Sequence, residues 1–429
     1  MTDLRSGEQG EPQARAPVLG VMWLAAGLLG ALFLLHGARS ASQPSDGFAA
    51  YYTSARLVRQ GEQAVRFYDQ AWFRAQTERL APGASDIFNV NPPTAALLLL
   101  PLAGLDHIPA RFLWTGVNLL LAAACVAVLW RELRLKAIYP PVLLCFVFAF
   151  QPLHANFRHG QAYLALLALL LLAWYGYRHR RPALLGVGLG LLLILKTAAL
   201  PLWVLVLAQR RWRALLWGGL TILGTGLVSL PLLGLDAWAT YVRLLPQLAT
   251  EPWLAVTAYQ SQYGFFRHLL IFDPQWNPEP LLNAPWLGTW LPALATLAVV
   301  AASARASWRA EASDPAFALF ALASIVLSPV SVDYHYTLGL LPVAVLLARV
   351  PFWRSWPASL GLIMAVLLIG ADLPYQSPQL QVGAWAFLAY PKLYGGLLLW
   401  ALALAAARKD RLEGMDDAER HHARTKSVA

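Results

Sequence analysis

Polar residues that could act in catalysis follow the first apolar segment of the chain. The stretch 41–93 carries an early carboxylate, Asp46, at the start of the motif SDGFAAYYTSARLVRQGE. A carboxylate held in a partly desolvated pocket has a raised pKa and can remove a proton from a hydroxyl group. The alternative is structural, because an Asp directly before a helical segment can cap the first turn of that helix. Tyr51 and its aromatic neighbours, which follow Asp46, could stack on a ligand or anchor the chain at a membrane surface.

A lone cation, Lys196, lies between two apolar segments in LLLILKTAALPLW. One interpretation is that its ammonium group extends to the membrane surface along its own alkyl chain. The other is that it binds an anion such as a lipid phosphate. The neighbouring basic clusters around Arg180 and Arg210 predict the cytoplasmic side for their loops. Lys196 is then expected on the outer side, where basic residues are less frequent.

Three further groups of polar residues interrupt the apolar segments. They are His159 and Gln161 in QPLHANFRHGQ, Asp333 and His335 in SPVSVDYHY, and Gln260 and Arg267 in AYQSQYGFFRHLL. Polar groups near a membrane are costly and usually have partners, although hydrogen bonds within a tight turn are the alternative for the first group. Asp333 and His335 could orient a proton transfer or contact a phosphate, but two ligands are too few for a convincing metal site. The planar guanidinium of Arg267 could hold a phosphate through two parallel hydrogen bonds.

The composition predicts the elements that position these residues. The chain has 429 residues, of which 58% are hydrophobic and 13% charged, whereas soluble domains carry roughly 25% charged residues. Repeated Leu/Ala-rich runs indicate an all-α integral membrane protein. The net charge of +10 is explained by basic cytoplasmic loops rather than by nucleic-acid binding. The two cysteines lie in apolar runs without a CxxC motif, so neither a disulfide framework nor a thiolate metal site is predicted.

The basic loops predict about twelve transmembrane helices in residues 17–407, between cytoplasmic tails at 1–16 and 408–429. The first outer loop, 39–111, is long and contains two segments with helical periodicity. We expect them to form amphipathic helices on the membrane surface. Within this loop, the proline-rich block 92–105 is predicted to be a re-entrant hairpin. Because the outer loops are long and the inner ones short and basic, the chemistry is expected on the outer face.

These segments together resemble the integral-membrane glycosyltransferases of the GT-C superfamily, and in particular those of family 87. That family includes mycobacterial α-1,2-mannosyltransferases that use polyprenyl-phosphate-mannose. The resemblance covers about residues 46–342. It rests on the order of SDGFAAYYTSARLVRQGE, NVNPPTAALLLLPLA, HGQAYLALL, LLILKTAALPL with QRRWR, AYQSQYGFFRHL and SPVSVDYHYTL.

The resemblance implies a GT-C-like helical bundle in the bacterial inner (plasma) membrane, with its active site on the periplasmic side. A hexose, expected to be mannose, would pass from a polyprenyl-phosphate donor to a hydroxyl of a glycolipid or glycan. Asp46 would be the general base, while Lys196, Arg267 and His335 stabilise the departing phosphate. One base and one displacement predict inversion at the anomeric carbon. No cofactor and no metal are expected.

The remaining polar residues are predicted to bind donor or acceptor. They are Tyr51, His159, Gln161, Gln260 and Asp333. The alternative function is a transporter or flippase of a lipid-linked sugar, which could use the same outer surface without making a bond. Against it, the two halves of the sequence show no internal repeat of the kind common in transporters. The expected partners are therefore the lipid-linked donor, the acceptor and membrane lipid, without nucleic acid.

Overall fold

A computed structural model describes residues 11–134, 139–197, 199–308, 310, 312–349 and 355–428. Its α-helices, numbered in chain order, are α1 Glu11–Ala41, α2 Phe48–Arg59, α3 Gln70–Leu80, α4 His107–Leu133, α5 Tyr139–Ala149, α6 Gln151–His159, α7 Tyr163–Arg178, α8 Pro182–Lys196, α9 Leu200–Ala208, α10 Trp212–Leu233, α11 Leu235–Leu248, α12 Gln262–Leu270, α13 Pro285–Ser307, α14 Asp314–Val326, α15 Leu340–Arg349, α16 Trp356–Gly370 and α17 Pro391–Val428. Short 3-10 helices include Pro93–Leu97, Leu100–Leu102 and Asp333–Gly339. The first ten residues of the predicted N-terminal tail lie outside the described ranges.

The all-α prediction is confirmed. Among the described residues the only β-type pairing is an isolated bridge between Asp273 and Asn277. By length and composition, four of the described helices can cross a membrane: Pro17–Ala41 within α1, then α4, α10 and α13. Counting each bent helix pair as one span gives up to six. The predicted count of twelve is therefore not confirmed.

The difference lies in short apolar helices that the sequence presents as spans. α8 has 15 residues and α9 has 9, whereas a straight span needs about 20. Thr197 and Ala199, which lie between them, both have positive φ. The sequence places the break between the two apolar segments at Lys196, but it does not show that the helices on either side are too short to be straight spans.

The helices form a core that surrounds α14 and leaves other apolar faces outside. Almost every residue of α14 is buried, and α14 contacts α7, α9, α15 and α17. By contrast, α10 and α13 carry many exposed Leu and Trp side chains. Exposed apolar faces of this extent mark a surface that contacts lipid.

The first outer loop is folded onto the bundle. The two predicted helices form as α2 and α3, but α2 does not lie on the surface, since ten of its twelve residues are buried. Its aromatic residues pack in a second core with Trp114 of α4 and with the 3-10 turns at 93–102. This packing brings Tyr51 and the residues before α2 against the ends of the apolar helices.

Candidate functional site

Two carboxylates, Asp46 and Asp86, connect two segments of the first outer loop. Asp46 Oδ1 accepts a hydrogen bond from the Ser85 backbone N–H at 3.1 Å. In return, Asp86 Oδ2 accepts from the backbone N–H of Gly47 and from that of Ala50 at 3.0 Å. Each Asp thus binds the backbone of the residue beside the other, so the two segments hold each other in register.

Asp86, rather than Asp46, caps α2. The N-cap position is Gly47, and no capping bond comes from a side chain within this turn. The first-turn N–H of Ala50 is instead satisfied by Asp86. Asp46 itself is exposed. The capping role proposed as the alternative for Asp46 therefore belongs to Asp86, and Asp46 lies on the surface of the protein.

The environment of Asp86 changes its ionisation. Burial raises its pKa to about 6, although hydrogen bonds from the backbone N–H groups of Gly47, Ile87 and Ala50 oppose this shift. The negative charge of Asp46 raises it further. Because the Asp86 charge acts on both Tyr51 and Tyr334, Asp86 is electrostatically linked to the interior of the site.

We expect the loss of thermal stability caused by Asp86→Asn to depend on pH. The folded-state pKa of about 6 lies above the ordinary value of 3.8, so the folded protein binds this proton more tightly than the unfolded chain. The wild type then loses stability as the pH rises from about 4 to 6. The Asn variant lacks this change, so the melting-temperature difference between the two proteins should shrink over that range. A difference that stays constant would contradict the raised pKa.

Gly47 lies so close to neighbouring residues that a side chain at this position would clash with them. Its φ is +91°, and a Cβ there would collide with the Gln161 amide and the His159 carbonyl oxygen. The left-handed region strongly favours glycine. Gly47 thereby brings the Asp46 segment directly against Gln161.

Gly47→Ala is expected to destabilise the protein by about 2 kcal/mol or more, since it adds backbone strain to a steric clash. Gly61→Ala is the matched control, because Gly61 also has positive φ (+80°) but no atom within 4 Å of the added Cβ. Thermal melting in detergent should show a clearly larger loss for Gly47→Ala. Equal losses of stability in Gly47→Ala and Gly61→Ala would mean that backbone strain, and not the steric clash, explains the effect at Gly47.

Lys196 lies at the centre of a buried polar chain. Its Nζ donates to the Tyr51 hydroxyl at 3.1 Å and to Asn91 Oδ1 at 2.5 Å. The Tyr51 hydroxyl donates in turn to Gln161 Oε1 at 3.0 Å. Tyr51 is only 2% exposed. Lys196 therefore turns into the protein rather than extending to the membrane surface.

An apolar cavity of about 760 Å³ meets this polar chain at Lys196. Its remaining polar lining includes Tyr163, Tyr334 and His335, while most of its wall is aliphatic. Leu200, which also lines it, is 55% exposed, so the cavity reaches the surface of the protein. A cavity of this form suits a ligand with a long apolar chain and an anionic headgroup.

His335 is held as a neutral hydrogen-bond donor. Its Nδ1 accepts from the Val332 backbone N–H at 3.2 Å, which places the proton of the neutral ring on Nε2. Burial, followed by the nearby positive charge of Lys196, keeps the pKa of His335 well below its usual value. The ring packs on Tyr163 with centroids 4.4 Å apart. His335 can thus donate to an anion without adding a second full charge beside Lys196.

Two of the other predicted residues, His159 and Gln161, lie near Tyr51 and Asp46. Gln260, Arg267 and Asp333 do not line the cavity. His159 is close enough to Asp46 and Asp333 to interact with both charges. The three others make structural contacts: Gln260 donates to the Thr257 and Ala389 carbonyl oxygens, Arg267 donates to the Thr250 carbonyl oxygen, and Asp333 pairs with Lys392 at 3.5 Å. Asp333 thereby anchors the turn that carries His335.

The sequence interpretation missed Asp86, Asn91, Tyr163 and Tyr334. The first two belong to the polar motif DIFNVNPP, which stands out between apolar residues and was a usable signal. The two tyrosines are ordinary aromatics in sequence, and only the packing places them in the cavity wall. Among the described residues, no group of three or more His, Cys, Asp or Glu side chains could hold a metal ion.

The fold and the site define an all-α protein with apolar helices of membrane-spanning length and an apolar cavity that meets Lys196. Its sequence matches the model of glycosyltransferase family 87 over residues 89–331. This match covers more than half of the chain, and the protein belongs to that family. The predicted family resemblance is thus confirmed. The matched stretch includes Lys196 but begins after Asp46 and Asp86 and ends before His335.

Two kinds of curated relatives come from Mycobacterium tuberculosis. An alpha-(1->3)-arabinofuranosyltransferase, found in strains CDC 1551 / Oshkosh and ATCC 25618 / H37Rv, is 30% identical over 162 residues, 37% of each chain. A polyprenol-phosphate-mannose-dependent alpha-(1-2)-phosphatidylinositol mannoside mannosyltransferase from strain ATCC 25618 / H37Rv is 27% identical over 290 residues. That alignment covers 63% of this chain and 64% of the relative. The matched stretches thus span between about a third and two thirds of these relatives. No solved structure matches the chain significantly.

Proposed function

We propose that the protein transfers a hexose, mannose, from a polyprenyl-phosphate donor to a hydroxyl of a glycolipid or glycan. The reaction takes place on the periplasmic face of a bacterial inner (plasma) membrane. The observation that carries this proposal is the apolar cavity that ends at Lys196. Its aliphatic wall suits a polyprenyl chain, and Lys196 and His335 suit the phosphate. The mannosyltransferase relative, which depends on a polyprenol-phosphate-mannose, supports a donor of the same class.

In the proposed mechanism, Asp46 removes the proton of the acceptor hydroxyl. The oxygen attacks the anomeric carbon as the bond from that carbon to the phosphate oxygen breaks, so that polyprenyl phosphate leaves. Lys196 and His335 stabilise the negative charge that grows on the leaving phosphate. A single displacement inverts the anomeric configuration. The contact of Gly47 with Gln161 and the bonds from Gln161 through Tyr51 to Lys196 connect the base to the phosphate end of the cavity.

The first experiment is sugar transfer by purified protein in detergent, with radiolabelled polyprenyl-phosphate-mannose and a mixed pool of glycolipid acceptors. We expect a labelled product whose new linkage has the configuration opposite to that of the donor. A polyprenyl-phosphate-arabinofuranose donor serves as the comparison, given the arabinofuranosyltransferase relative. Transfer from the pentose donor alone would overturn the choice of mannose. Movement of the intact donor across vesicles without transfer would favour the flippase.

A further inference from the structure

One buried tyrosine of the bundle has a hydroxyl group that meets no polar partner in the protein. Eight tyrosines of the described ranges are buried, and the hydroxyl groups of seven of them make hydrogen bonds within the chain. These seven are Tyr51, Tyr52, Tyr177, Tyr241, Tyr336, Tyr375 and Tyr390. The eighth is Tyr163, which is 2% exposed and whose hydroxyl bonds to no described residue. A buried Tyr hydroxyl usually has a partner, so this exception points to a partner outside the chain.

Tyr163 lines the apolar cavity, and two further tyrosines of the cavity wall share this property. Tyr259 and Tyr334 also line the cavity, and neither hydroxyl has a hydrogen-bond partner within the described part of the chain. The rings of Tyr163 and Tyr334 pack with centroids 5.3 Å apart, and Tyr334 is close enough to Tyr259 to interact with it electrostatically. These three residues form a tyrosine cluster whose hydroxyl groups are available to a ligand.

Tyr334 lies between the phosphate end of the cavity and the side of the protein that carries Asp46. On one side, its ring stacks on that of His335 with centroids 5.1 Å apart. On the other side, it is 5.9 Å from the ring of His159, which is close enough to interact with the charge of Asp46. In the proposed reaction the sugar lies between the leaving phosphate and the base, and Tyr334 borders that space.

The chemistry of the tyrosine cluster suits a sugar better than a phosphate or a polyprenyl chain. A tyrosine hydroxyl is neutral and both donates and accepts hydrogen bonds, as the hydroxyl groups of a sugar do. A phosphate would favour the charged Lys196 instead. A polyprenyl chain would leave all three tyrosine hydroxyls without partners, which costs free energy in a buried site.

We propose that the tyrosine cluster binds the sugar of the donor lipid through hydrogen bonds to the sugar hydroxyl groups. This inference rests on the proposed function, because it takes a polyprenyl-phosphate-sugar as the ligand. Tyr163 and Tyr334 then determine the affinity for the sugar, whereas Lys196 and His335 determine the affinity for the phosphate.

The test compares two lipids that differ only in the sugar: polyprenyl-phosphate-mannose and the methyl diester of the same polyprenyl phosphate. Both carry one negative charge. Equilibrium binding to the full-length protein in a non-ionic detergent gives a Kd for each lipid. One hydrogen bond between neutral groups changes Kd about 5-fold. We therefore expect Tyr163→Phe to reduce the preference for the sugar-bearing lipid about 5-fold, and Tyr163→Phe/Tyr334→Phe about 25-fold. The Kd of the methyl diester should change little.

Tyr336→Phe is the matched control, because Tyr336 is also buried but its hydroxyl donates to the Gln260 carbonyl oxygen at 2.7 Å. This variant should keep the wild-type preference for the sugar but melt at a lower temperature, since it leaves a buried carbonyl without its partner. Tyr163→Phe should keep the wild-type melting temperature, because the wild-type hydroxyl has no partner in the protein to lose. An equal drop in the melting temperature of Tyr163→Phe would show a structural role for that hydroxyl and overturn the sugar site.

The binding results separate the sugar site from the proposed function. If the wild type bound the two lipids with equal Kd, the tyrosine cluster would not be a sugar site, while the polyprenyl-phosphate donor would stand. If neither lipid bound, the donor class itself would be refuted, and the sugar site with it. A full preference for the sugar-bearing lipid in the double Phe variant would place the sugar elsewhere.

Discussion

Lys196→Met is expected to lower kcat for sugar transfer by about 100-fold to 1000-fold, the usual effect of removing an electrostatic stabiliser. The donor phosphate carries one negative charge and gains a second as the glycosidic bond breaks. Lys196 therefore interacts more strongly with the transition state than with the bound donor, so kcat should fall more than the donor KM rises. Steady-state kinetics with a polyprenyl-phosphate-sugar donor measure both constants.

Lys196→Arg is the matched control, because it keeps the charge but changes the geometry toward Tyr51 and Asn91. We expect this variant to retain more activity than the Met variant. Melting temperatures must accompany the kinetics, because both variants disturb a buried hydrogen-bond chain. If the Lys196→Met protein is folded and has the same kcat as the wild type, Lys196 does not take part in the mechanism.

Asp46→Asn is expected to lower kcat by about 100-fold to 10,000-fold, the range for loss of a general base. Donor binding should be unchanged, because Asp46 is exposed and does not line the cavity. The amide can still accept the hydrogen bond from Ser85, so thermal stability should change little. Single-turnover transfer and equilibrium binding of the donor separate the chemical step from binding.

Asp86→Asn distinguishes the two carboxylates. The two carboxylate oxygens of Asp86 accept hydrogen bonds from the backbone N–H groups of Gly47, Ala50 and Ile87. An amide has only one accepting oxygen and cannot make all three bonds, so this variant should lose stability as well as activity. If Asp46→Asn kept full turnover while a stably folded Asp86→Asn lost it, Asp86 would be the base. A pH–rate profile whose acidic limb near pH 6 disappears only in Asp86→Asn would support the same conclusion.

The amino-acid sequence by itself determined the class of the protein and its local structure. Long apolar runs with few charges predict a helical membrane protein, because a helix pairs its backbone polar groups within one continuous apolar segment. The order of the polar motifs indicated the family. Lys196 was also recognisable, since a cation between two apolar segments needs an anionic or hydrogen-bonding partner.

The tertiary structure decided how the polar residues are combined. Asp46 and Asp86 are 40 positions apart in the sequence, and only the packing of the Asp86 segment against the start of α2 shows that one caps the helix while the other is exposed. Likewise, Lys196 meets Tyr51 across 145 positions. Arg267, a predicted phosphate ligand, donates to the Thr250 carbonyl oxygen in the structure. Residue type and local periodicity determine which helices form, but contacts between distant segments depend on packing, which no short stretch of sequence specifies.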